Sequence, residues 1–93
     1  MPRFTVRVEL HNAEDKDYEN LHKFMEEENF LRTISLKNVK YKLPTAEYII
    51  SDNDLDPFLT LDKAKSAASK TEKKYEVLVT ESNGRTQFGL EKV

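Results

Sequence analysis

The stretch Phe4-Thr5-Val6-Arg7-Val8-Glu9-Leu10-His11 alternates without exception between apolar and polar residues. Side chains along a strand have period two, so Phe4, Val6, Val8 and Leu10 share one face and Thr5, Arg7, Glu9 and His11 the other. The pattern predicts a strand from Arg3 to His11. One face lies on a core and the opposite face presents arginine, glutamate and histidine as a polar working surface.

Outward from this strand the periods change in a readable order. Asn12 has the chemistry of a helix N-cap, and Asp15 and Asp17 suit the positive end of a helix. Tyr18, Leu21 and Met25, joined by His22 or Phe24, recur at spacings of three and four and predict an amphipathic helix ending near Glu28-Asn29. Phe30 to Leu36 reads as a second strand. Its facing is ambiguous, because Phe30, Arg32, Ile34 and Leu36 share one parity unless a bulge intervenes. Lys37-Asn38-Val39-Lys40 is the expected turn. Tyr41 to Ser51 reads as a third strand, with Pro44 at its start, an edge or a bulge because proline lacks the ladder donor.

The loop Ser51-Asp52-Asn53-Asp54-Leu55-Asp56-Pro57 follows, with Leu55 and Phe58 as its anchors to the core. Its carboxylates lack the glycine and distal glutamate of a calcium loop. Thr60 is the expected cap of a second helix, whose Leu61, Ala64, Ala67, Ala68 and Thr71 form a narrow face suited to close packing on a sheet. Tyr75 to Glu81 is a fourth strand. Asn83-Gly84 then predicts a tight hairpin leading into a fifth strand from Arg85 to Glu91, since both central residues of such a turn need positive φ.

Two interleaved β-α-β units with right-handed crossovers make a ferredoxin-like βαββαβ α+β sandwich with an added C-terminal strand. Two helices cover one face of an antiparallel sheet. The chain reads as a single domain, residues 1–93, large enough for one modest core. The second sheet face is expected to be uncovered, with Arg7, Glu9 and His11 near its middle. It either stays wet or pairs with a second copy.

With no cysteine the chain has no disulfide, no thiolate nucleophile and no cysteine metal site. No apolar run reaches the length of a membrane span, and Met1-Pro2-Arg3 leads straight into a strand, which argues against a signal peptide. The expected compartment is cytoplasmic. A formal net charge of −2 does not indicate a globally basic nucleic-acid binder. The distribution is uneven, however: the segment Glu14–Glu28 is strongly acidic, whereas Arg32, Lys37, Lys40 and Lys42 face a single Glu47 between residues 29 and 50. These charges read either as solvated faces that keep a small domain soluble or as a patch for an anionic partner.

Glu9 and His11 project from one strand face about 7 Å apart, and Arg7 continues the row. A base, an acid and a guanidinium in that order suit RNA cleavage: His11 or Glu9 takes the proton of a 2′-hydroxyl, and Arg7 stabilises charge on the phosphoryl oxygens. The same residues also read as exposed side chains joined by cross-strand ion pairs. No metal site is assigned and no cofactor is expected. Magnesium on Glu9, Asp15 and Asp17 stands as an alternative to simple helix-end charge placement, and His22 reads as a boundary residue with one satisfied nitrogen.

The segments FTVRVELHNA, YENLHKFM, YKLPTAEY and YEVLVTESNGR together resemble the GhoS-like endoribonuclease antitoxins of type V toxin–antitoxin systems, over nearly the whole chain from Arg3 to Leu90. That resemblance implies a ferredoxin-like fold akin to the small CRISPR-associated endoribonucleases. The activity it implies is cleavage of the messenger RNA for a small membrane-damaging toxin. In the CRISPR-associated relatives an aspartate near the end of the first strand is tied to magnesium-dependent cleavage at a dimer axis. This chain has Glu9 and then His11-Asn12 there, with the first aspartate at Asp15.

The resulting expectation is a homodimer that binds single-stranded RNA, with Arg7, Glu9 and His11 as the catalytic candidates. Arg3, Arg32, Lys37, Lys40, Lys42 and Arg85 form a phosphate-binding arc, and no membrane is involved. Two readings stand beside it: RNA binding without cleavage, and a non-catalytic module whose open sheet or last strand pairs with a protein partner.

Overall fold

The computed structural model describes residues 2–93; Met1 lies outside them. Arg3–Leu10 forms β1, and its apolar residues Phe4, Val6, Val8 and Leu10 are all buried, as alternation requires. The remaining elements are α1 (Asp15–Glu27), β2 (Thr33–Leu36), β3 (Val39–Lys42), β4 (Glu47–Ser51), α2 (Pro57–Ser69) and β5 (Tyr75–Glu81). The central sheet has the order β4-β1-β5, antiparallel throughout. Leu31 adds a bridge to Ile49 on the outer side of β4. The fold is the ferredoxin-like α+β sandwich. Among the described residues no helix is long and apolar enough to cross a membrane.

Both helices pack on the face that carries Phe4, Val6 and Val8. Leu21 and Met25 from α1, with Ala64, Ala67 and Ala68 from α2, join them in one core with Tyr48 and Ile50 of β4. Alanines on α2 let its backbone lie close to the sheet, and the large β1 side chains fill the space left. Burying each of these, Phe4 for instance, stabilises the fold by about 2–3 kcal/mol.

The ends of α1 follow from local chemistry. Its N-cap is Glu14 rather than the expected Asn12, which turns the chain with φ 52°. Asp17 accepts a hydrogen bond from the Glu14 backbone N–H at 2.8 Å. At the other end Asn29 takes φ 72°, as expected of a left-handed terminator. The Phe30 and Asn29 N–H groups bond back to Met25 and Glu26 carbonyls, a Schellman arrangement sealed by the buried pair Phe30 and Met25. The N-cap of α2 is Asp56, followed by Pro57, and not Thr60. Thr60 sits one turn inside, buried, its hydroxyl bonded to the Asp56 carbonyl. Leu55 does pack on the core, but Phe58 is 78% exposed and anchors nothing.

Between the helices the expected second and third strands divide differently. The chain bends at Arg32, between the Leu31 bridge and β2. That bend resolves the parity conflict. Phe30 belongs to the helix-side core, whereas Ile34, of the same parity, lies apart from that cluster and lines a cleft with Thr5 and Ile49. β2 and β3 form a hairpin closed by Lys37 and Asn38, both at positive φ, with Leu36 opposite Val39. This is the primed two-residue turn that matches strand twist. The single expected strand from Tyr41 to Ser51 is broken at Pro44. The Glu47 N–H bonds to the Pro44 carbonyl across a turn that holds Ala46 at φ 73°.

The expected hairpin at Asn83-Gly84 does not form, and neither residue takes positive φ. The C-terminal segment leaves β5 and passes over the sheet face opposite the helices. The Ser82 N–H bonds to the Arg3 carbonyl, and the side chains of Ser82 and Arg85 reach Thr5. Gly89, at φ 82°, turns it, and it ends as an extended stretch along β3. There Lys42 N–H bonds to the Glu91 carbonyl and Val93 N–H to the Lys40 carbonyl, around a Tyr41–Lys92 bridge. The C-terminal strand is thus added at β3 and not at β5. The physical reason is apolar: Ile34, Leu36, Leu43 and Ile49 would otherwise face water, and Leu90 helps to cover them. The second sheet face, expected to be bare, is therefore strapped at its Thr5 end and open at its Glu9 end.

Candidate functional site

On the open part of the sheet the register defines the neighbours. Arg7 stands opposite Leu78 on one side and Glu47 on the other, and Glu9 stands opposite Glu76. Facing pairs across a sheet share a face, so Arg7, Glu9, Glu76 and Leu78 form one surface, where they line a shallow depression. All four are exposed, Leu78 at 65%.

His11 lies one residue beyond β1 but is held in line with it. Its backbone N–H bonds to the Lys74 carbonyl at 2.8 Å, which extends the ladder past Leu10. The Leu10 N–H bonds to the Tyr18 hydroxyl of α1 at 3.1 Å, and Lys73 Nζ bonds to the Asn12 carbonyl. So supported, the imidazole Nε2 comes 2.7 Å from Glu76 Oε1. A carboxylate acceptor leaves the ring nitrogen only the donor role, so in the neutral ring the lone pair is on Nδ1. Two glutamates face each other across the strands, and the imidazole caps one of them. That arrangement can hold and move a proton, and the Arg7 guanidinium further along the strand supplies a fixed positive charge.

Arg7, Glu9 and His11 thus share one face as their spacing predicts. Glu76 was absent from the sequence-based set. No local signal names it, because its place beside His11 depends on the register of β5 against β1.

The basic residues do not form one arc. Arg3 and Arg85 both lie at the strapped end of the sheet, where the Ser82 N–H reaches the Arg3 carbonyl and Arg85 reaches Thr5. Burial, with the nearby charge of Arg3, draws the Arg85 guanidinium below its ordinary value. Arg32 and Lys42 line a separate cleft with Glu26 and Glu91, and Lys42 Nζ is 3.8 Å from Glu91. Lys40 shares a hairpin face with Ser35, and Lys37 occupies the turn.

His22 is a boundary residue, as its helical position predicts. Its Nδ1 pairs with the Tyr48 hydroxyl. Burial first, then the charge of Arg32, lowers the His22 pKa, and burial holds the Tyr48 phenol far above its ordinary range. The phenol therefore donates and the neutral imidazole accepts.

The magnesium alternative is not assembled, because Asp17 is committed to the Glu14 N–H and lies 3.8 Å from Lys73 Nζ. Among the described residues no three histidine, aspartate or glutamate side chains converge as a metal ligand set. In the loop before α2, Asp52 accepts from the Asp54 N–H and Asp56 caps the helix, which accounts for these carboxylates by local turn chemistry. Compared with known proteins, the chain matches no family model, no curated protein and no solved structure.

Proposed function

We propose that the protein binds single-stranded RNA across the open sheet face and cleaves it there, in the manner of the GhoS-like antitoxins that its sequence resembles. The observation that carries this reading is the His11–Glu76 pair, 2.7 Å apart on the same exposed face as Glu9 and Arg7. Glu76 orients the imidazole through Nε2, and Nδ1 takes the proton of a ribose 2′-hydroxyl. The 2′-oxygen then attacks the adjacent phosphorus, and the 5′-oxygen leaves with a proton returned from the imidazolium. A 2′,3′-cyclic phosphate and a 5′-hydroxyl end remain. Arg7 stabilises the charge that builds on the phosphoryl oxygens. The reading includes a cytoplasmic setting, a homodimer and phosphate contacts at separate places along the RNA strand: Arg3 and Arg85 at the strapped end, Arg32 and Lys42 in their cleft, and Lys37 and Lys40 on the β2–β3 hairpin.

The test is incubation of purified protein with mixed single-stranded RNA, with magnesium or chelator, beside His11→Ala. Cleavage that the substitution abolishes supports the reading; cleavage that survives it, or intact RNA in every lane, overturns it.

A second reading is a non-catalytic interaction module. Leu78 on the open face and the fully exposed Phe88 favour it. In that case RNA is ignored at physiological salt, and a partner protein is retained by wild-type protein but not by Leu78→Lys.

A further inference from the structure

The C-terminal segment does more than cover the sheet. Between it, the β2–β3 hairpin and β4 lies a cleft of about 410 Å³, within the range of small-molecule sites. Its walls are apolar, with Ile34, Leu36, Leu43 and Ile49 on the sheet side and Leu90 on the segment side. Its polar end is built around Arg85. That guanidinium donates from Nε and Nη2 to Thr5 Oγ1 at 3.3 and 3.1 Å, and Thr5 in turn pairs with Ser82 Oγ at 2.9 Å. These bonds aim the side chain and leave the rest of the guanidinium fork open. Among the described residues no carboxylate is within ion-pair distance of Arg85 or Arg3. One half-buried guanidinium, Arg85, thus stands at the end of an apolar cleft without an ion-pair partner, and the positive charge of Arg3 outside the lining adds to its field. The one carboxylate in the lining is Glu47, which stands opposite Arg7 in the β1–β4 register.

We propose that this cleft binds a small organic anion with an apolar body, its phosphate or carboxylate on Arg85 and its body against Ile34, Leu43 and Ile49, with the charge of Arg3 nearby adding to the attraction. Arginine suits that head group because its planar fork meets such oxygens in pairs. Phe88, fully exposed at the rim, offers an aromatic surface that a bound body would cover. Neither Arg7 nor His11 lines the cleft, so it does not include the catalytic row, but it shares Arg85 with the RNA phosphate contacts of the proposed function.

The test is titration of the full ¹⁵N-labelled chain with phenyl phosphate and, separately, with benzoate, followed by amide shifts. Saturating shifts confined to Thr5, Ile34, Ile49 and Gly84–Leu90 are expected with at least one probe, and which one binds distinguishes a phosphate from a carboxylate ligand. Inorganic phosphate alone and benzyl alcohol alone are each expected to bind about tenfold more weakly or not at all, because each supplies half of the recognition. Arg85→Gln should weaken the better probe about tenfold, while Lys65→Gln, at an exposed position of α2 across the sheet, leaves it unchanged. The same spectra show whether each variant folds. Arg3→Gln, which leaves the Arg85–Thr5 bonds in place, should weaken binding about threefold even if Arg85→Gln loosens the segment. No saturation with either probe, shifts centred elsewhere, equal binding of inorganic phosphate, or indifference to both arginine substitutions overturns the proposal. Those results leave the catalytic role of His11 and Glu76, tested by His11→Ala cleavage, untouched.

Discussion

Arg85 and Thr5, eighty residues apart in the sequence, are joined by two hydrogen bonds from one guanidinium to one hydroxyl. This contact pins the C-terminal segment to the middle strand of the sheet. It divides the face opposite the helices into a covered, apolar end and an open, charged end.

Replacing Thr5 by valine keeps the shape and removes the acceptor, leaving a half-buried guanidinium with fewer partners. Thr5→Val is expected to lower stability by about 1–2 kcal/mol, measured by urea unfolding. Faster amide hydrogen exchange should be confined to residues 82–93. Unchanged exchange there would mean that the apolar contacts of Leu90 hold the segment without Thr5.

Ala46 occupies a left-handed turn position, φ 73°, that suits glycine. Ala46→Gly relieves the Cβ clash and adds unfolded-state entropy, for a net gain of about 0.5–1 kcal/mol. A raised urea midpoint with an unchanged slope is the expected result. A lowered midpoint would show that the Cβ contributes more by packing than it costs in strain.

His22 makes stability depend on pH with a definite sign. Burial lowers its folded pKa below the ordinary 6.5. As pH falls through that ordinary value the unfolded chain takes up a proton before the folded one does. Its contribution is thus whole above the unfolded pKa, shrinks as pH falls, and levels off below the folded pKa. His22→Gln, which keeps an acceptor for Tyr48, should flatten the loss of stability between about pH 7 and pH 5. Parallel wild-type and variant curves would assign that slope to other groups.

In the RNA reading, His11→Ala is expected to lower cleavage about a hundredfold or more while affinity changes little. Glu76→Gln keeps a hydrogen-bond acceptor but removes the charge. It should therefore retain part of the rate and shift the pH profile, as expected of a residue that positions the histidine. Fluorescent single-stranded RNA, scored for both binding and cleavage across pH, reads both effects. Equal loss of binding and cleavage would make His11 a contact and not a base.

The parts legible in the sequence were those set within a few residues. β1 and the partition of its faces followed from alternation, the buried alanines of α2 from helical spacing, and the end of α1 from Asn29. The misreadings have specific physical causes. Asn83-Gly84 has the composition of a tight hairpin, but a turn preference worth little by itself loses to the burial of Ile34 and Ile49 under the returning chain. The turn expected at Lys37-Asn38-Val39-Lys40 does form, but it tightens to Lys37-Asn38, because Leu36 pairs with Val39 and draws Val39 and Lys40 into β3. Glu76 could be placed on a strand but not beside His11, since the register between distant strands is not written in either one.

What the sequence alone determined, then, is the placement of β1, α1, α2 and β5 and the company that Arg7, Glu9 and His11 keep, because side-chain direction along a strand is local geometry. Only the tertiary structure decided that Glu76 meets His11, that Arg85 meets Thr5 and lies apart from the Arg32–Lys42 cleft, and that residues 82–93 cross the sheet to β3. Those outcomes depend on which apolar surfaces are left wet once the sheet and helices have packed. That quantity exists only for the whole folded chain.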